Sequence, residues 1–265
     1  MTSDKKEQYK ILAGQVAVHL MLVPMIIYGQ WFHWAISFFV YFLMMTFGIS
    51  MFNHRYMSHK SISILSTPLK YFSIFLSTIS LQGSSLAWVA MHREHHAHSD
   101  TEKDPHSPKY DGFWHSYFLS MMHSPNIKRY GIDLLRDKTV ILFHKNYWRI
   151  NLAYSVTTFL IFGWFGPIVL HWIPAVMQWH GSSIVNGLAH YHKPVPKIVG
   201  YRNFETNEYS KNLPLFAYLT FGEGWHNNHH GKPTSYTFKH KWYEYDLVAS
   251  ILKGLSKIKA IKINE

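Results

Sequence analysis

From Ile11 to His54 the chain carries no Lys, Arg, Asp or Glu, and from Ile150 to His192 it again carries none. A helix on the surface of a soluble domain keeps one polar face, so charge-free runs of this length have no natural place in water. A membrane-crossing helix needs about 20 apolar residues, and each stretch is long enough for two. The mean hydropathy of −0.10 hides this partition, because all 26 basic and 15 acidic residues lie outside the two stretches.

The expected architecture is an all-α membrane protein with four transmembrane helices in two hairpins and a helical cytoplasmic cap. The first hairpin is read as residues 11–28 and 31–52, joined by Gly29-Gln30. The second is read as residues 147–162 and 168–188, joined by Gly163 to Pro167. The cap takes residues 53–146 and 189–265, and the chain is read as one domain over 1–265. The short linkers hold no Lys or Arg. By the excess of basic residues on cytoplasmic flanks, both termini and the middle region are expected to be cytoplasmic. The first apolar run lacks a small-residue cleavage site and is read as a retained span. The absence of Cys excludes disulfides and thiolate chemistry. The net charge of +11 suits either basic flanks resting on anionic lipid or a face that docks an acidic protein. No nucleic-acid partner is expected.

Ser66–Met91 is apolar enough to raise the question of a fifth crossing, with Lys70 its only charge. Ser73, Ser77, Ser80, Gln82, Ser84 and Ser85 give it a polar side, and Gly83 loosens it. It is read as an interfacial or cytoplasmic helix laid against the spans.

Three histidine clusters follow the apolar segments: His54 and His59, then His92, His95 and His96, then His226, His229 and His230. At about 100° per residue each triplet occupies about a 100° arc of a helix, so two facing helices aim six imidazoles at one cavity. His54 and His59 are five apart, which on a straight α-helix splays them, so the helix is expected to end or bend between them. Asn186 and His190 are four apart at the end of the fourth span, placing His190 as a ninth ligand and Asn186 as a holder of metal-bound water. His19, His33, His171 and His180 stand alone on apolar faces and read as hydrogen-bonded structural residues. Imidazole ligates Zn, Cu, Fe and Ni. Nine ligands imply two ions, and the lack of paired Glu-x-x-His motifs separates the site from carboxylate-bridged bundles. The reading is a pair of irons that use O2.

These motifs resemble the membrane fatty acyl desaturases, in particular the stearoyl-type delta-9 branch. The likeness is carried by Asn53-His54-Arg55-Tyr56-Met57-Ser58-His59, by His92-Arg93-Glu94-His95-His96 and by Asp104-Pro105-His106. It extends through Asn186 and His190 to Gly222-Glu223-Gly224-Trp225-His226-Asn227-Asn228-His229-His230. The resemblance implies one iron on His54, His59, His92, His96 and His229. It implies a second on His95, His190, His226 and His230, with Asn186 reaching that iron through water. It also implies O2-dependent insertion of a cis double bond into a saturated acyl chain, usually at carbon 9. Electrons would come from an external donor: ferredoxin, rubredoxin or cytochrome b5.

Asp104 and Glu223 are expected to accept from ligand N–H groups and so fix ring orientation. Trp88, Trp179, Phe72, Phe75, Phe216 and Phe221 are candidates to line an acyl tunnel. Acyl-CoA members of the family carry an Arg-Asp pair just before the second cluster and an Arg-Lys pair further on. Here Ala90, Met91, Met122 and His123 stand instead, which leaves an acyl-lipid or acyl-carrier-protein substrate open. A membrane hydroxylase with similar clusters is the competing reading, and a non-enzymatic metal carrier would need polar groups along a membrane path.

Overall fold

The computed structural model describes residues 3–264. Met1, Thr2 and Glu265 of the expected domain lie outside them. Helix α1 (Ser3–Leu20) and α2 (Leu22–Tyr28) form one rod interrupted at Met21. Pro24 accounts for the break, since its ring crowds the carbonyl four residues earlier. After Gly29-Gln30 comes α3 (Trp31–Leu43), which continues without interruption as a π-helix over Met44–Ser58. Strand β1 (Ile62–Ile64) follows, then α4 (Thr67–Ile79) and α5 (Ser85–His98). Short helices α6 (Ile127–Tyr130) and α7 (Lys138–Lys145) lead to α8 (Tyr147–Phe162). A second rod comprises α9 (Phe165–Pro167), a π-turn over Ile168–Trp172, α10 (Ile173–Ile184) and a π-turn over Val185–Ala189. The remainder holds α11 (Pro214–Leu219), α12 (His226–Gly231), α13 (Leu247–Lys257) and β2 (Ile261–Ile263).

Among the described residues, two helices are long and apolar enough to cross a bilayer, Tyr9–Tyr28 and Trp31–Ser58. The second expected hairpin is less clear-cut. Helix α8 has 16 residues, and the rod from Phe165 to Ala189 is diluted by His171, Gln178, His180 and Asn186. The hairpin tips meet: the Tyr28 and Trp164 rings lie edge to face at 5.7 Å, and His33 and Phe165 at 4.8 Å.

The fold is helical as expected, with one short addition: β1 and β2 pair antiparallel, Ile62 opposite Ile263 and Ile64 opposite Ile261. Both segments alternate Ile with a polar residue, the period-two pattern of a half-buried strand. The cap is only partly helical. Between Ala189 and Leu247 it is mostly irregular, with α11 and α12 the only helices there among the described residues. Pro194, Pro196, Pro214 and Pro233 punctuate this stretch.

The polar side of Ser66–Met91 faces inward rather than toward water. Ser73, Ser77, Ser80, Gln82, Ser84 and Ser85 are all buried, while Tyr71 and Phe72 are exposed. Ser77 Oγ donates to Asn53 Oδ1 at 3.0 Å and meets Ser85 Oγ at 2.9 Å. Small residues let α4 press against the π-helix, and Gly48 marks the closest approach. A Cβ there would sit 2.6 Å from the Ser77 backbone nitrogen. Gly48→Ala should therefore force the two helices apart and cost about 1–3 kcal/mol. A lowered unfolding midpoint by circular dichroism in detergent is the expected result, and an unchanged midpoint would refute this packing.

Candidate metal centre

Each histidine is delivered by a local feature of the sequence. The helix ends at Ser58, between His54 and His59 as expected, and its last turns are wound more widely than an α-helix. In the π-helix the His59 amide donates to the His54 carbonyl at 3.1 Å, an i→i+5 bond. The two rings therefore stand one turn apart on the same face, with centroids separated by 5.0 Å. Helix α5 aims His92, His95 and His96 inward, and the short α12 aims His226, His229 and His230 at them. His190 caps the π-turn that ends the second rod.

The nine imidazoles separate into two groups, His54, His59, His92, His96 and His229 in one, and His95, His190, His226 and His230 in the other. Within the first, Nε2 of His59 approaches Nε2 of His92 to 2.8 Å, and Nε2 of His229 lies 3.0 Å from that of His54 and 2.8 Å from that of His96. Within the second, Nε2 of His226 lies 2.9 Å from that of His190 and 3.1 Å from that of His230. Burial first, and neighbouring imidazoles next, hold His59, His92, His96, His226, His229 and His230 well below the ordinary histidine range. Neutral rings present lone pairs. Several buried Nε2 atoms facing one point cannot satisfy one another as donors and acceptors, whereas a cation satisfies all of them at once. The donor set fits a metal ion in each group.

Carboxylates hold the rings from behind. His95 Nδ1 donates to Asp104 Oδ1 at 2.9 Å, and His54 Nδ1 donates to Glu223 Oε2 at 2.5 Å. Sequence reasoning missed Asp100, which accepts from His190 Nδ1 at 2.9 Å and from the Tyr209 amide at 2.8 Å. Burial opposes charge on His190, but the Asp100, Glu208 and Asp104 carboxylates raise it above the ordinary range. Glu208 also escaped notice, and lies 3.7 Å from His190 and 3.9 Å from His230. Asp100 sits four residues after His96, a spacing that carries a usable signal.

Arg55 is the third omission. Its side chain is 1% exposed and donates to Glu223 Oε1 at 2.8 Å and to Asp246 Oδ2 at 2.9 Å. It also donates to the Tyr236 carbonyl and lies over the Phe238 ring at 3.8 Å. The asparagines of the third cluster anchor α12: Asn228 donates to Glu244 Oε2 at 2.8 Å, and Asn227 accepts from the Asn203 and Phe204 amides.

A small internal cavity of about 50 Å3 touches both groups through His54, His92 and His226. Asn186, Met45, Ile49, Met91, Met121 and Trp88 complete much of its wall. Of the six aromatic residues expected along a tunnel, only Trp88 borders it. Phe72 packs on Phe47, Phe75 on Tyr154, and Phe221 on Tyr41 and Phe42. The cavity shares Gln82, Trp88, Met91 and Met121 with a neighbouring one of about 420 Å3. The lone histidines serve structure: His171 joins Ser155 and Asn151, and His19 meets His180 with Nε2 atoms 3.3 Å apart.

Two outcomes test this arrangement. Arg55→Leu leaves Glu223 and Asp246 buried without their cation and should cost about 3–5 kcal/mol, read from chemical denaturation. Asp100→Asn should weaken metal retention about 10–100-fold in chelator competition. Wild-type retention would remove Asp100 from the site.

The fatty acid desaturase family matches residues 11–262. An sn-1 stearoyl-lipid 9-desaturase from Synechocystis sp. (strain ATCC 27184 / PCC 6803 / Kazusa) is 35% identical, across 86% of this chain and 71% of its own length. An enzyme of the same name from Anabaena variabilis is 32% identical across 82% and 79%. A hex-5-enoyl-[acyl-carrier protein] acetylenase from Moorena producens (strain JHB) is 32% identical across 80% and 70%. With the match spanning both apolar regions and all three histidine clusters, the chain belongs to the fatty acid desaturase family.

Proposed function

We propose that this acyl desaturase inserts a cis double bond at carbon 9 of a saturated acyl chain carried on a membrane lipid. The supporting observation is the pairing of two groups of buried imidazoles with one internal cavity. The lipid carrier is favoured by the relatives named for stearoyl-lipid. It also fits the walls of the 420 Å3 cavity, which Met91 and Met121 line and no Lys or Arg does.

We assign one iron to His54, His59, His92, His96 and His229, and the other to His95, His190, His226 and His230, with Asn186 acting on the second through water. Bound there, the irons supply activation of O2 to an oxidant able to take hydrogen from an unactivated methylene. The protein contributes position. A methylene pair offers no acid–base handle, so regioselectivity depends on holding the chain still. At about 50 Å3 the cavity is far below the roughly 300 Å3 at the low end of ligand sites. Entry therefore requires Met45, Met91 and Met121 to swing aside, which unbranched side chains do readily. Trp88 Nε1 donates to Gln82 Oε1 at 3.2 Å, and Gln82 Nε2 donates to Ser182 Oγ at 2.9 Å. This polar bridge gives the chain a fixed wall to bend against. Asp100, Asp104 and Glu223 keep the Nδ1 protons in place, so that Nε2 stays free toward the metal.

The proposed topology has four spans in two hairpins, with the termini and the site in the cytoplasm and residues 53–146 and 189–265 as cap. It is supported by apolar side chains left uncovered on α8, where Leu160 is 75% exposed, and at the hairpin tip, where Trp31 is 80% exposed. Surfaces of that kind belong against lipid.

Expression in a desaturase-deficient host, with mass spectrometry of derivatised lipids, tests the activity. A new cis monoene is expected, absent with His229→Ala or His95→Ala although both variants insert. A hydroxylated chain would move the assignment to a hydroxylase. Full activity in either variant would overturn the ligand assignment.

A further inference from the structure

The proposed reaction, on which this inference rests, does not balance on substrate and O2 alone. Written out, R–CH2–CH2–R′ + O2 + 2 e− + 2 H+ gives R–CH=CH–R′ + 2 H2O. The methylene pair gives two electrons and O2 takes four, so two must come from a reductant. The question is where on this chain they enter.

One of the nine histidines borders a large opening. His59 lies at the edge of a depression of about 800 Å3 rimmed by Lys60, Lys232, Thr234 and Tyr236, and no acidic residue lines it. The ring is half-buried, and its Nε2 lies 2.8 Å from that of His92. By contrast His54, His92 and His226 face the internal cavity, which shares no lining residue with this depression. A donor seated here would not compete with an acyl chain.

The rim carries one sign of charge: Lys60 and Lys232 are exposed, and no acidic residue lines the depression. One acid outside it, Asp133, pairs with Lys60 at 3.0 Å and with Arg93 at 2.7 Å. The apolar helix runs from Trp31 to Ser58, 28 residues. About 20 suffice to cross the hydrocarbon, so its last turns and His59 lie beyond the hydrocarbon.

We propose that the depression over His59, rimmed by Lys60 and Lys232, docks a small acidic protein that carries one electron at a time. Its shape and its single sign of charge suit such a partner, and opposite charge steers encounter at rates that fall with salt. Anionic lipid would match the charge but could not deliver electrons, and the concave floor at His59 would go unused.

The test uses the full chain, iron-loaded, in detergent, with an acidic [2Fe–2S] ferredoxin as probe. Binding is measured by surface plasmon resonance against ionic strength, and turnover is driven in parallel by dithionite. Lys60→Glu with Lys232→Glu should weaken ferredoxin binding by at least about tenfold, with dithionite-driven turnover unchanged. Lys253→Glu with Lys257→Glu, on α13, should bind as wild type. Unchanged ferredoxin binding in the first pair overturns the proposal, as does equal loss in the second pair. If the first pair instead loses affinity only for nanodiscs containing phosphatidylglycerol, this face is a membrane contact and the proposal fails. Binding reads the surface and dithionite turnover reads the site, so failure of one is distinguishable from failure of the other.

Discussion

The constraint on which the rest of the structure depends is the removal of nine imidazoles from water. Burying even one unpaired polar ring is costly, and here the rings are packed edge to face, with most centroids in the clusters less than about 6 Å apart. Neighbouring elements answer that cost. Asp104, Asp100 and Glu223 take up three of the Nδ1 protons. Arg55 then neutralises Glu223 and is itself held by Asp246. Asp100 and Asp104 reach the rings from the turns after α5, and Glu223 from the turn before α12.

The two histidine groups are not equivalent. The first has a single carboxylate against a ring, and that one is tied to a guanidinium. The second has two carboxylates directly on rings and Glu208 close by. A metal in the second group would therefore sit among more basic imidazoles.

Much of this was legible in the sequence. The charge-free stretches located the apolar rods, and helical spacing placed both histidine triplets on common faces. Three matters were hidden for physical reasons. The five-residue spacing of His54 and His59 is awkward on an α-helix, and nothing in single-residue preferences announces a π-helix fifteen residues long. Asp100 and Glu208 lie in turns, where a carboxylate's target depends on tertiary folding rather than on period. Arg55 was visible as part of a motif, but its role as a buried cation depends on Asp246, 191 residues away. By contrast the Ile-x-Ile pattern of β1 and β2 was readable, and was overlooked because three-residue strands give so short a signal.

The pairing of β1 with β2 has a consequence for the order of events during synthesis. Strand β1 follows His59 directly, and its partner lies at Ile261–Ile263. The centre itself draws on residues from His54 to His230. As the chain emerges, the first cluster is made well before α12, with α4 to α11 formed in between. Metal ions held by both groups would therefore be captured only after His230 is made, and the small sheet closes behind them.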